Sequence, residues 1–140
     1  MNNEIISTSP DGRHEVRLRY KGEIRFGPPF FRLDLNGKIL SGRVFGEIFC
    51  WSDDSRYLAA QEWPTTDYQA GPITRVLLVD LETNRYSKVG GVEKGFAEDF
   101  RFDGDIFIYR KHLYETDQVI ETKVDVSSIT NLEHGIHQNT

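Results

Sequence analysis

Two pairs of carboxylates are the strongest candidates in this sequence for catalysis or cation binding. Asp53 and Asp54 are adjacent, and one glycine separates Asp103 from Asp105. Two carboxylates held close together could bind a hard cation or act as a general acid and a general base. Aspartates beside serine and glycine also form turns, because their side chains accept hydrogen bonds from nearby backbone amides. We favour the turn-forming role for both pairs.

The other residue patterns that support catalysis or metal binding are incomplete. Cys50 is the single cysteine, and the sequence contains neither a Gly-x-Ser-x-Gly elbow nor a phosphate-binding Gly-Lys-Ser/Thr loop. His134 and His137 have an i, i+3 spacing but lie in a polar segment without a third ligand. We therefore predict a protein that is not an enzyme, with no metal site and no cofactor. A cleft that gathers distant residues, such as His112 with Asp103 or Glu62, would be the exception.

Charge is distributed unevenly along the 140 residues. The formal net charge is −5 at pH 7, with an excess of basic residues up to residue 45 and of acidic residues after it. Lys and Arg displace the counterions of nucleic acids, so an acidic chain argues against that ligand and favours a basic protein partner. A solvated acidic surface is the alternative. Arg17 and Arg19, near Tyr20, form one basic stripe that could stack nucleic acid or bind a small ligand.

The start of the chain and its hydropathy predict a cytoplasmic protein. Residues 1–6 lack the basic and apolar regions of a signal peptide, and no run approaches the roughly 18 apolar residues of a membrane span. The single cysteine gives no reason to expect an oxidising compartment. We predict one domain at 1–128 and a polar tail at 129–140.

The secondary structure predicted around these side chains is β-strand. No window has a helical period, so the chain is predicted to be all-β, with about ten to twelve short strands. Residues 76–79 are apolar on both faces, which predicts a central strand. Asn36-Gly37 predicts a tight hairpin whose second strand covers 38–45. The strand after the central one is predicted to end at Gly90-Gly91, and the one short helical turn that the pattern allows is at 95–99.

Two turns recur 43 residues apart and give the chain a repeat. Ser9-Pro10-Asp11-Gly12-Arg13 aligns with Ser52-Asp53-Asp54-Ser55-Arg56, and Phe102-Asp103-Gly104-Asp105 is a weaker third copy. A period of about 40–45 residues is typical of a four-stranded propeller blade. Together with Tyr57-Leu58-Ala59 and the strand end Leu78-Val79-Asp80-Leu81-Glu82-Thr83, these turns resemble the WD-type and TolB-like β-propeller repeats over residues 5–90.

This resemblance implies a scaffold for protein contacts. Three blades are fewer than the four or so at which propellers begin to close. Either the chain oligomerises to complete a ring, or it forms a partial propeller in which twisted antiparallel sheets pack around one aromatic core. We favour the partial propeller.

These observations together favour a non-catalytic protein-binding module, most concretely a bacterial immunity protein that binds and neutralises a basic toxin such as a nuclease. Acidic side chains would steer association with a cationic surface, and aromatic side chains would supply the contacts that exclude water. The candidate contacts are the loop at 63–68 and three acidic pairs, which together give Trp63, Asp67, Tyr68, Asp53, Asp54, Glu98, Asp99, Glu115 and Asp117.

Three alternatives to this interpretation remain open. Trp63 and Tyr68 could simply cap the core under a long loop. The chain could be a propeller-like scaffold subunit of a larger assembly. It could also be a nucleic-acid or small-ligand binding module that uses the Arg17/Arg19 face.

Overall fold

The computed structural model describes residues 4–24, 27–67, 71–129 and 133–134, and these ranges form antiparallel β-strands. The all-β prediction is therefore confirmed. The strands are β1 (Glu4–Thr8), β2 (Glu15–Glu23), β3 (Pro29–Leu35), β4 (Lys38–Ile39), β5 (Val44–Trp51), β6 (Tyr57–Trp63), β7 (Ile73–Asp80), β8 (Arg85–Glu93), β9 (Gly95–Asp103), β10 (Ile106–Leu113), β11 (Val119–Asp125) and β12 (Glu133–His134). A short 3₁₀ turn, Val126–Ser128, follows β11. No helix in the described ranges has the length and apolar character needed to cross a membrane.

The strands form two hydrogen-bonded sheets. The larger has the order β1-β2-β3-β5-β6-β7-β8-β12 with β4 beside β3, and the smaller has the order β11-β10-β9. One residue pair, Phe31 with Phe45, joins β3 to β5. Side chains from both sides of that junction share one buried cluster, so the large sheet folds over itself there. The molecule therefore has three layers: a first layer of β1–β4, a second of β5–β8 and a third of β9–β11.

The second layer is buried on both faces. Along β7, Leu77 and Val79 pack in the cluster shared with the first layer, whereas Val76 and Leu78 pack in the cluster shared with the third. None of the four side chains is more than 1% exposed. A strand that is apolar at consecutive positions has to be covered on both sides, and the prediction of a central strand at 76–79 is confirmed.

Aromatic rings fill the seam between the second and third layers. The ring of Phe107 stacks on Tyr109 with centroids 5.5 Å apart, and Phe100 meets Phe107 edge-on at 5.3 Å. Phe102 adds a tilted contact with Phe107 at 5.1 Å. Each such pair contributes about 0.5–1.5 kcal/mol beyond the burial of its area. Aromatic side chains also pack in the cluster between the first and second layers, including Phe31, Phe45 and Trp51, so they occupy both seams and not one core.

The predicted helical turn at 95–99 is wrong. These residues belong to β9, because they pair with β10 from Gly95 opposite Leu113 to Glu98 opposite Arg110. In addition, the hydroxyl of Thr74 on β7 donates to the carbonyl of Gly95 at 3.2 Å and accepts the amide of Ala97 at 2.7 Å. Both bonds fix the backbone of β9 against the second layer. The sequence around 95–99 carries no local sign of them, since Thr74 is about twenty residues away.

Two predicted strand boundaries are also wrong. Residues 38–45 do not form one strand, because β4 ends at Ile39 and the chain turns through Gly42, with φ +72°, before β5 begins. β8 does not end at Gly90-Gly91 but continues to Glu93. A register shift opposite Arg75 accommodates the extra residue, so the glycines mark a bulge rather than a strand end.

Candidate functional site

The β5–β6 hairpin places the predicted contact residues at opposite ends of the molecule. Its turn carries Asp53 and Asp54, whereas its open end pairs Val44 with Trp63. The seven residues of β6 separate these ends by about 20 Å, at about 3.3 Å per residue. We refer to them as the turn end (residues 9–13 and 52–56) and the Trp63 end (residues 46–48, 62–67 and 94–98 with 112–117).

At the turn end, the two aligned turns have the same hydrogen bonds. The serine hydroxyl donates to the aspartate carboxylate, in Ser9 to Asp11 at 2.8 Å and in Ser52 to Asp54 at 2.7 Å. That carboxylate accepts the amide two residues later at 3.0 Å in both turns, and the serine oxygen accepts the amide five residues after it. The amide of Asp11 donates to the Ser55 hydroxyl at 2.9 Å, which joins the two turns.

Asp54 is therefore occupied by its own turn. The hydrogen bond from Ser52, followed by the amide of Arg56, lowers the pKa of the Asp54 carboxyl, so it is ionised at neutral pH. Asp53 is exposed, and no hydrogen bond or ion pair involves its side chain in the described part of the chain. The weaker third copy lacks the serine, and its hairpin turns through Gly104 at φ +58°.

Buried charge reinforces the turn end. Burial opposes ionisation of Asp80, which is 2% exposed, but the Arg56 guanidinium outweighs that cost and keeps the pKa of Asp80 low. Arg56 reaches the two carboxylate oxygens at 3.2 and 3.0 Å. Such bidentate pairs are geometrically specific. The acidic side chains Asp11, Asp54 and Asp80 thus stabilise the fold at this end.

At the Trp63 end, Trp63 is the last residue of β6 and is 3% exposed. The predicted loop consequently begins at Pro64. The indole meets Phe96 edge-on, with ring centroids 5.8 Å apart, and both rings line a groove of about 120 Å³. Ile48 adds a further apolar wall, and Glu47 and Glu98 contribute carboxylates to the same groove.

An irregularity in β5 forms this groove. The pairing between β5 and β6 shifts register between Phe45 and Phe49, so residues 46–48 leave the regular ladder and line the groove. Gly46 is required there, because a side chain at this position would collide with the amide oxygen of Gln61. Gln61 in turn donates to the carbonyl of Ala97 at 2.7 Å and fixes the second layer to the third.

Two of the predicted acidic pairs meet around His112. Its Nδ1 lies 3.0 Å from Glu98 Oε1, and its Nε2 lies 2.6 Å from Asp117 Oδ1. The hydrogen bond with Asp117, assisted by the charge of Glu98, raises the pKa of the imidazole although partial desolvation opposes this. Asp99 lies 3.5 Å from Arg110, and Glu115 lies 3.6 Å from Lys94.

The surface around the groove and His112 is acidic. It carries five carboxylates and two permanently charged cations, namely Glu47, Glu98, Asp99, Glu115 and Asp117 with Lys94 and Arg110. The cations Arg43, Arg75 and Lys88 line a separate cavity at the same end. Asp67 is exposed in the loop after β6, where its amide donates to Thr65 Oγ1 at 3.0 Å. Tyr68 lies outside the described residues. In the described ranges, no group of three histidine, cysteine or carboxylate side chains is placed to hold a metal ion.

The arginine stripe of the first layer faces carboxylates on its own surface. Glu4 lies 3.5 Å from Arg17 and 3.0 Å from Arg19, while Asp34 lies 3.1 Å from Arg19 and 3.2 Å from Arg32. A nucleic-acid phosphate would have to compete with these carboxylates for the guanidinium groups.

No family model, curated protein or solved structure matches the chain. A functional conclusion therefore depends on the geometry of the site. Sequence reasoning had selected Trp63, Glu98 and Asp117, which the structure brings to one end. It missed Glu47 and Phe96, whose positions depend on the bulge in β5 and on the contact between layers. His112 was a candidate only as part of a catalytic cleft. In the β9–β10 pairing it lies opposite Phe96, and this register places it beside Glu98.

Proposed function

We propose that this chain is a non-catalytic protein-binding module that holds a basic protein partner at the Trp63 end. In its most concrete form, the partner is a toxin such as a nuclease, and the chain is a cytoplasmic immunity protein that covers the toxin's cationic site. The observation that carries the proposal is an aromatic groove whose lining includes two carboxylates, Glu47 and Glu98, with further carboxylates around the neighbouring His112.

The dimensions of the groove favour one protein side chain over a small-molecule ligand. Pockets for drug-sized ligands measure about 300–1,000 Å³, whereas this groove measures about 120 Å³. A lysine or arginine could lay its apolar stem on the partly exposed side chains of Phe96 and Ile48 and place its charge near the two carboxylates. A basic anchor in an aromatic groove is typical of the residues that dominate binding energy at interfaces.

The surrounding charges would act on the rate of association. A net negative surface attracts a cationic partner over distances of about one Debye length, roughly 8 Å at physiological ionic strength. The ion pairs Asp99–Arg110 and Glu115–Lys94 are solvent-exposed. Exposed pairs contribute little to stability, so these carboxylates can exchange their present partners for those of a bound protein.

A propeller-like scaffold is the second candidate, and the serine–aspartate bonding shared by the two turns 43 residues apart favours it. The charged outer faces of the first and third layers argue against the addition of further blades. Phe100 and Phe102 pack inward, so Arg101 between them lies on the outer face of the third layer, where it pairs with Glu121 at 3.2 Å. The outer face of the first layer carries the arginine stripe. A blade stacked on either face would have to bury these charges.

The experiment that tests the proposal is affinity capture from a lysate of the protein's own cells with two charge-reversed variants. Glu47→Lys changes a groove carboxylate, whereas Asp53→Lys makes the same charge change at the turn end. Both carboxylates are exposed, and neither makes an ion pair within the described ranges. We expect the wild type and Asp53→Lys to retain the same basic protein, and Glu47→Lys to lose it.

The immunity form of the proposal needs a second readout. The captured protein should arrest growth when produced alone, and co-production of the wild-type chain should restore growth while Glu47→Lys restores it less. Retention of the same proteins by all three baits, or partners that are acidic, would contradict the basic-partner proposal. A basic partner without toxicity would contradict the immunity form alone and support the scaffold.

A further inference from the structure

We propose that a second cavity at the same end, where the segment before β5 and the loop after β6 meet β7 and β8, binds a small ligand that bears an oxyanion group, either phosphate or carboxylate. The cavity measures about 540 Å³, within the range of about 300–1,000 Å³ that small-molecule sites occupy. Its lining contains three cationic side chains, Arg43, Arg75 and Lys88, and one carboxylate, Glu62. This inference does not depend on the basic partner.

The centre of the cavity is a fixed arrangement of charged groups. Glu62 is 2% exposed, and its two carboxylate oxygens accept separate hydrogen bonds, from Arg43 Nη1 at 2.6 Å and from Arg75 Nε at 2.7 Å. The Arg43 guanidinium also lies over the ring of Tyr86, 4.7 Å from its centroid. Because packing and hydrogen bonds hold both guanidinium groups, little conformational entropy remains to be lost on binding.

The number of cations exceeds what the fold needs. One arginine would neutralise the buried carboxylate, yet two contact it, and each guanidinium has five N–H donors of which Glu62 takes one. Lys88 is exposed on β8 and has no ion pair in the described part of the chain. The lining therefore carries two surplus positive charges in a chain whose net charge is −5.

The chemistry of these donors defines the ligand class. The remaining N–H groups of a guanidinium match two oxygens of a phosphate or a carboxylate, and the compact ammonium of Lys88 adds a point charge. Ser41, Thr65 and Thr66 contribute hydroxyl groups to the lining, which can donate to the same oxygens. An oxyanion would also relieve the repulsion among the three cations.

The test is calorimetric titration of the full chain with inorganic phosphate and, separately, with succinate, at constant ionic strength set with chloride. Lys88→Gln removes one cation without touching the Glu62 contacts, and Lys38→Gln is the matched control on β4, also exposed and without an ion pair within the described ranges. We expect saturable binding of at least one of the two anions, an affinity about tenfold lower in Lys88→Gln, and no change in Lys38→Gln.

The pattern of binding identifies the ligand chemistry. Phosphate alone would indicate a phosphate ester, succinate alone a carboxylic acid, and both a general oxyanion site. Two results would overturn the proposal: no saturable binding of either anion above the chloride background, or an equal loss of affinity in Lys88→Gln and Lys38→Gln. Thermal unfolding of each variant in chloride verifies that both are folded before titration.

Discussion

The turn end and the Trp63 end contain the same kinds of acidic side chain and use them differently. At the turn end, Asp54 accepts hydrogen bonds from Ser52 and from the amide of Arg56, and these bonds stabilise the turn. At the Trp63 end, Glu98 faces a groove on one side and the imidazole of His112 on the other. The residue type does not decide the role of a carboxylate; its hydrogen-bond partners do.

Buried charge separates the two ends most sharply. At the turn end, Arg56 donates two hydrogen bonds to Asp80, one to each carboxylate oxygen. At the Trp63 end, two arginines donate to Glu62, and both arginines line a cavity. A closed pair contributes to folding alone, whereas an arrangement with surplus donors can also take a ligand.

The largest effect that we expect is from Glu62→Gln. Removal of the carboxylate would leave Arg43 and Arg75 without a compensating charge, and breaking a buried ion pair in this way costs about 3–5 kcal/mol. Urea unfolding measures the loss, and Glu47→Gln is the control because that side chain is exposed. Equal unfolding free energies for the two variants would show that the buried contacts of Glu62 contribute nothing to stability.

A smaller effect is expected from Asp54→Ala. The change removes the acceptor for Ser52 and for the amide of Arg56, and loss of a comparable capping interaction costs about 1 kcal/mol. Asp53→Ala removes the same charge from the neighbouring position and should change the free energy of unfolding by less than about 0.5 kcal/mol. If the two variants lose equal stability, the distinction between a turn-forming and a solvated aspartate is wrong.

The smallest effect is a pH dependence at His112. Because contact with Asp117 and Glu98 raises its folded-state pKa above the ordinary 6.5, protonated His112 stabilises the fold. That contribution is complete below pH 6.5 and is lost as the pH rises through the folded-state pKa. Arg110 on the same strand is already paired with Asp99, so the two carboxylates dominate the environment of the imidazole.

Proton NMR of the imidazole measures this pKa directly. We expect a titration midpoint above 6.5 in the wild type and a lower one in Asp117→Asn. Thermal unfolding should also lose stability between pH 6 and pH 9 more steeply in the wild type than in His112→Gln. A midpoint at or below 6.5 would mean that the carboxylates do not hold the proton on His112.

Local chemistry was sufficient to predict the turns and the central strand. Asn36 and Gly37 both adopt positive φ, 53° and 82°, as a two-residue hairpin requires, and β3 pairs with β4 across them. The bonding of Ser52 with Asp54 involves residues only two apart. These features depend on neighbours in the sequence, so the sequence alone contains the information needed to predict them.

Tertiary contacts determine the rest of the site and could not be predicted in the same way. The strand conformation of residues 95–99 depends on pairing with β10 and on the hydrogen bonds of Thr74. The groove depends on a bulge in β5 that no turn-forming residue marks in the sequence. Glu62 lies in a strand whose neighbours are buried, and its partners come from two separate strands. His112 meets Glu98 only because β9 and β10 pair with a register shift.

The affinity of the captured basic partner for Glu47→Lys and for Asp53→Lys, measured by calorimetry, tests most directly whether the Trp63 end is the binding site. Both variants change the net charge equally, so a difference between them reports position rather than total charge. We expect an affinity lowered by about tenfold or more for Glu47→Lys, equivalent to about 1.4 kcal/mol, and within about twofold of the wild type for Asp53→Lys. An equal loss in both variants, or a larger loss in Asp53→Lys, would contradict it.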